Sequence, residues 1–106
     1  MSVSDRYREL ADAVRSFSRD VEATSDPENG KEVNQVAQAV QLLAELQEQV
    51  GEIPRIRLEA ELTPVLLKAH NRLDRARLLL EERGAEDRAA AAWELEQKIY
   101  RLLNDL

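Results

Sequence analysis

Apolar side chains spaced alternately four and three residues apart constrain this chain more than any other feature. Val3, Tyr7, Leu10, Val14, Phe17 and Val21 follow that spacing first, and Leu66, Ala69, Leu73, Ala76 and Leu80 follow it again. At about 100° per residue, such a series gathers into one stripe along a helix, whereas a strand would scatter it over both faces. Little interrupts the pattern, because the 106 residues include only three Gly and three Pro. Ala, Leu, Glu, Arg and Gln, which all favour helix, supply most of the rest. These features exclude sandwiches and barrels, together with the loop-built sites those folds carry.

Caps and breakers divide the chain into four helices. The first covers residues 4–24, and its apolar stripe is only about 80° wide, so it reads as a peripheral helix. Asp26 as cap, Pro27 in the first turn and Glu28 at the positive dipole end open a second helix, unless Asn29-Gly30 delays its start to about Lys31. Gly51 in a left-handed conformation and Pro54 beyond it close that helix. Its apolar residues, from Val33 through Ala39 and Leu43 to Val50, spread over roughly 220° and mark it as the central helix. Thr63-Pro64 opens a third helix by the same cap-and-proline logic, and Gly84 stops it. A fourth follows at once over 86–105, with Ala89, Ala92, Leu95, Ile99 and Leu102 on its apolar face.

The expected architecture is a single all-α domain over 1–106, with a hairpin at 4–50, a connection at 51–63 and a hairpin at 64–106. Its four antiparallel helices would form a bundle, within one chain or across a dimer. The connection leaves two readings. Ile56, Leu58, Ala60 and Leu62 alternate with Arg57, Glu59 and Glu61, which is strand spacing. Paired antiparallel with a copy of itself, an extended segment at 55–62 would set Arg57 against Glu59 and Arg55 against Glu61, making Ile56 and Leu58 part of a dimer ribbon. Helix or irregular coil fits too, because Arg55–Glu59 and Arg57–Glu61 are i,i+4 pairs.

Charge and composition narrow the function classes. Fifteen basic residues against 21 acidic give a net charge of −6, all of it in residues 1–53, which hold 5 basic and 11 acidic side chains. The absence of cysteine excludes disulfides, thiolate metal sites and thiol nucleophiles. No run approaches the ~20 apolar residues of a membrane span, and the first residues lack the apolar stretch of a secretory signal, so a cytoplasmic location is expected.

No catalytic, cofactor or metal constellation emerges. Glu45 and Glu48 form a Glu-x-x-Glu pair of the kind that holds Mg²⁺ in helical nucleotide pyrophosphohydrolases, but they would need Asp74 or Glu81 beside them. Lys68, Arg72 and Arg75 make a basic stripe, yet the acidic chain supplies no interleaved aromatics, so nucleic acid is an unfavoured partner. His70, the only histidine, stands one helical turn from Asp74. Glu96 falls within the apolar arc of its helix, level with Arg77 and His70, which predicts a partly buried ion pair that sets helix register. Trp93 and Tyr100 lie one heptad apart at the edge of the last helix, and Leu67 and Leu78 are apolar on the polar side of the third. An aromatic pair beside a leucine row has the form of an interface anchor. The sequence is therefore expected to encode a helical interaction module, an adaptor or accessory subunit, that binds a second copy of itself and another protein.

Overall fold

The computed structural model describes residues 2–24 and 30–106, and among them four α-helices form a bundle of 44 × 21 × 21 Å. They are α1 (Val3–Thr24), α2 (Lys31–Gln47), α3 (Arg55–Glu82) and α4 (Glu86–Asn104). A short 3₁₀ turn at Val50–Glu52 precedes α3. The proposed cap at Asp26, Pro27 and Glu28 lies outside the described residues. The structure begins α2 at Lys31, after Gly30.

The largest departure from expectation is α3. No described residue at 55–62 is extended: the helix starts at Arg55, directly after Pro54, and runs through Thr63-Pro64. A lone strand would leave its backbone groups without partners, whereas a helix satisfies them within the segment. Packing favours the same outcome. Leu62 and Leu66 are fully buried, and Leu58 packs against the core one turn earlier. Arg57 closes an i,i+4 bridge to Glu61 at 2.6 Å. The dimer ribbon through Ile56 and Leu58 is therefore not formed, and the connection shrinks from 51–63 to the few residues before Arg55. Pro54 opens α3 instead of merely ending α2.

Gly51 also differs from expectation. It lies within the 3₁₀ turn, and the one described residue with positive φ is Gly84, at +80°. No left-handed turn is made at Gly51, and the nearest atom to a Cβ there would be the tip of the flexible Arg8 side chain, at 2.9 Å. Gly84 does end α3 in that conformation. Its N–H bonds to the Glu81 carbonyl at 3.0 Å, and the Ala85 N–H reaches back to Leu80 at 2.8 Å, which satisfies the last carbonyls of the helix.

The packed neighbours are α1 with α2, α2 with α3, α3 with α4, and α4 with α1, so the helices close into a ring. Partner order shows the relative sense of α1 and α4: Arg6 meets Asp105 and Asp20 meets Arg88, one ascending while the other descends. Within the ring α1 packs less extensively than the other helices, as its narrow stripe predicts, and the largest interface is the one between α2 and α3. Tyr7, Leu10, Ala11, Val14, Phe17 and Val21 of α1 are all buried, and the Tyr7 hydroxyl donates to the Leu43 carbonyl at 2.6 Å. Burial, with Glu45 adding to it, pushes the Tyr7 phenol well above its ordinary value, so that proton stays in place. The surplus apolar positions of α2, including Val33, Val40, Leu42 and Leu46, are only half-buried. One core cluster draws on all four helices.

Candidate functional site

The α3–α4 seam concentrates the unusual side chains. On α3, His70, Asp74, Arg77 and Glu81 follow each other at intervals of four, three and four, which places them along one edge of the helix. On α4, Glu96 sits directly behind that edge. It is 3% exposed, with its Oε1 3.4 Å from His70 Nε2 and its Oε2 3.5 Å from Arg77 Nε. The Oε2 atom is buried and accepts no hydrogen bond from any described residue. Arg77 spends its donors elsewhere, on Asp74 at 2.8 Å and on Glu81 at 2.8 Å. Glu96, Arg77 and His70 therefore do meet, but Arg77 bonds to the two carboxylates of its own helix and leaves Glu96 incompletely served.

That arrangement decides where a proton goes. Burial raises the Glu96 pKa, and the neighbouring Asp74 and Glu81 raise it further against the pull of Arg77, to about 8. For Asp74, partial burial works upward, but the hydrogen bonds with Arg77 and Glu96 outweigh it and hold the carboxyl below its ordinary value. Near neutrality Glu96 thus carries a proton while Asp74 stays ionised, and the neutral carboxyl can donate to the Asp74 carboxylate beside the Arg77 guanidinium.

Above this polar seam lies the exposed apolar surface. Trp93 and Tyr100 on α4 and Leu67 and Leu78 on α3 are each between 45% and 53% exposed. Tyr100 meets the His70 ring edge-on, with centroids 4.7 Å apart. Trp93 shares a shallow groove with Arg77, Glu81, Glu86, Ala89 and Ala90. Leu67 and Leu78 stand about 60° around α3 from His70 and Glu81, on the solvent side of the polar row. All four of these interface candidates consequently border one face. Ile56 does not join them; it is 91% exposed at the start of α3, and Leu58 turns inward.

The other candidates separate. Glu45 lines a groove with Lys68, Asn71, Arg72 and Arg75, so the α3 side chains near it are cations and amides instead of the Asp74 or Glu81 that a Mg²⁺ site would need. Among the described residues, no three His, Asp or Glu side chains are grouped as a metal site. No described helix is long and apolar enough to cross a membrane.

Comparison with protein-family models, curated proteins and solved structures gives no match to this chain. The site therefore rests on its own geometry.

Two features lie beyond the expectations from sequence, and only the first left a signal there. Glu32 is buried on α2, with Arg83 Nε 3.4 Å from its Oε1, and on a helical wheel it falls beside Val36 and Leu43. The edge-on contact of Tyr100 with His70 joins two elements, and no spacing within either helix could reveal it.

Proposed function

We propose that this chain is a helical protein-interaction module that pairs with a second copy of itself through α4. The observation that carries this reading is the repetition of α4 about Gln97. Trp93 and Glu94 are followed one heptad later by Tyr100 and Arg101, and all four are exposed. In an antiparallel pairing of two α4 helices centred near that residue, each Trp93 meets the Tyr100 of the other copy, and each Glu94 meets the other's Arg101. A two-fold axis makes each such contact twice. Glu94 and Arg101 have no ion-pair partner within the described residues, so both charges are available for it. Leu67 and Leu78 border the same face and extend the apolar contact. A symmetric scaffold of this kind suits an adaptor or accessory subunit of a larger assembly.

Solution mass by light scattering across a concentration series tests the reading, with twice the 12.1 kDa chain mass expected. Glu94→Arg or Arg101→Glu alone should weaken the dimer by placing like charges opposite each other, and the two together should restore it. A monomer at all concentrations, or a double variant no better than the singles, overturns the α4 pairing.

A further inference from the structure

The groove between α2 and α3 lies away from Trp93 and Tyr100, and its chemistry is different. About 400 Å³ of space is lined by Gln38, Gln41, Leu42 and Glu45 from α2 and by Lys68, Asn71, Arg72 and Arg75 from α3. The three cations are spaced four and three residues apart, so they run along a single edge for about 10 Å, at 1.5 Å per residue. Arg72 Nη1 reaches the Gln35 side-chain oxygen at 3.4 Å, and none of the three cations makes an ion pair with a described carboxylate. Among the other cations, Arg6, Arg15, Arg57, Arg77, Arg83 and Arg88 have acidic partners, whereas Arg8, Arg19, Lys31, Arg55, Lys98 and Arg101 make no ion pair with a described residue, so it is the alignment of three cations along one groove that sets this row apart. Three aligned cations facing the single carboxylate of Glu45, in a chain of net charge −6, cost helix stability through like-charge repulsion at i,i+3 and i,i+4. Such a cost is commonly retained where a site needs the charge.

We infer that this groove binds an acidic amphipathic helix of another protein. Leu42, half-buried on α2, and the aliphatic stems of the long polar side chains around it offer the apolar stripe of a third helix its contact along the groove. Lys68, Arg72 and Arg75 would then meet carboxylates spaced at i, i+4 and i+7 along one side of that stripe. Amide side chains at Gln38, Gln41 and Asn71 supply hydrogen bonds at the rim. Glu45, the carboxylate in the groove, selects against a partner that is acidic on both sides of its stripe. Nucleic acid fits less well, because the exposed aromatics that would stack with bases lie on the α3–α4 face. The groove works equally in a monomer or in the α4-paired dimer, so this inference stands apart from the self-association reading.

The test uses the full chain and a fluorescein-labelled helical peptide of about 18 residues, long enough to hold helix when docked. Its leucine stripe is flanked on one side by Glu at i, i+4 and i+7, and a twin peptide carries Gln at those positions. Fluorescence anisotropy should show the Glu peptide binding at least about tenfold more tightly than its twin, with the difference shrinking as salt is added. Lys68→Glu should reduce that binding at least about tenfold while the melting temperature holds or rises, since the new carboxylate sits at i to Arg72 at i+4. Arg75→Gln, which reverses no charge, should give a smaller loss in the same direction. Equal binding of the two peptides, or undiminished binding by both variants, overturns the inference. So does tighter, Lys68-dependent binding of a single-stranded oligonucleotide, which would reassign the groove to nucleic acid.

Discussion

Glu96 shows how much one side chain can owe to its surroundings. Its carboxyl holds a proton to about pH 8 in the folded chain, against an ordinary value of 4.5. Below about pH 4.5 the group is neutral in both states, and its contribution to stability is complete. Between there and about pH 8 the unfolded chain releases the proton while the folded one keeps it, so stability falls as pH rises. The steepest slope is about 1.4 kcal/mol per pH unit, and above pH 8 the loss is finished. Glu96→Gln keeps the shape and a donor but has no proton to lose. Melting temperatures by circular dichroism should therefore fall less from pH 6 to pH 9 in the variant than in the wild type. Parallel curves would mean that Glu96 is already ionised at neutral pH. The burial of Glu96 was legible from its helical angle and its level opposite Arg77 and His70. Its protonation was not, because that depends on Arg77 bonding to Asp74 and Glu81 at 2.8 Å and making no hydrogen bond to Glu96 Oε2.

At the scale of elements, α3 shows where local signals compete. Thr63-Pro64 has the form of a helix start, and the alternation around Leu58 fits two periods equally well. The outcome turned on burial. A helix places Leu62 and Leu66 in the core four residues apart, and that continuity carries the helix across a proline with no N–H to give the Ala60 carbonyl. Pro64 is exposed, so replacing it disturbs no packing. Pro64→Ala should stabilise the protein by about 1–3 kcal/mol, seen as a rise in the urea midpoint at constant slope. An unchanged or lower midpoint would show that the first turns of α3 contribute nothing to the folding transition. Gly84 is the contrary case, where sequence and structure coincide, because a left-handed residue at a helix end is a local requirement that glycine meets without strain.

For the whole molecule, the question is which apolar residues face in and which face out. Leu73 and Leu78 lie five residues apart on the same helix. Leu73 is fully buried and Leu78 is 47% exposed. Leu73→Ala should cost about 2–5 kcal/mol through lost transfer energy and an unfilled cavity. Leu78→Ala should change the stability of the monomer by less than about 1 kcal/mol, and by our reading its effect appears in self-association instead. Equilibrium unfolding and concentration-dependent mass together separate the two effects. Equal costs would mean that the α3–α4 face is covered within the chain.

The chain's own sequence determined its helical content, the register of the α1 and α3 stripes, the stop at Gly84 and the inward placement of Glu96. Each of these depends on residues within a few turns of one another, where hydrogen bonding and the 3.6-residue period leave little choice. Only the tertiary structure decided that four helices close into a ring and that 55–62 extends α3. It also set the edge of Tyr100 against His70 and separated Glu45 from Asp74. Those outcomes depend on which faces meet across the bundle. The width of an apolar face shows how much surface needs covering, but not which distant helix covers it.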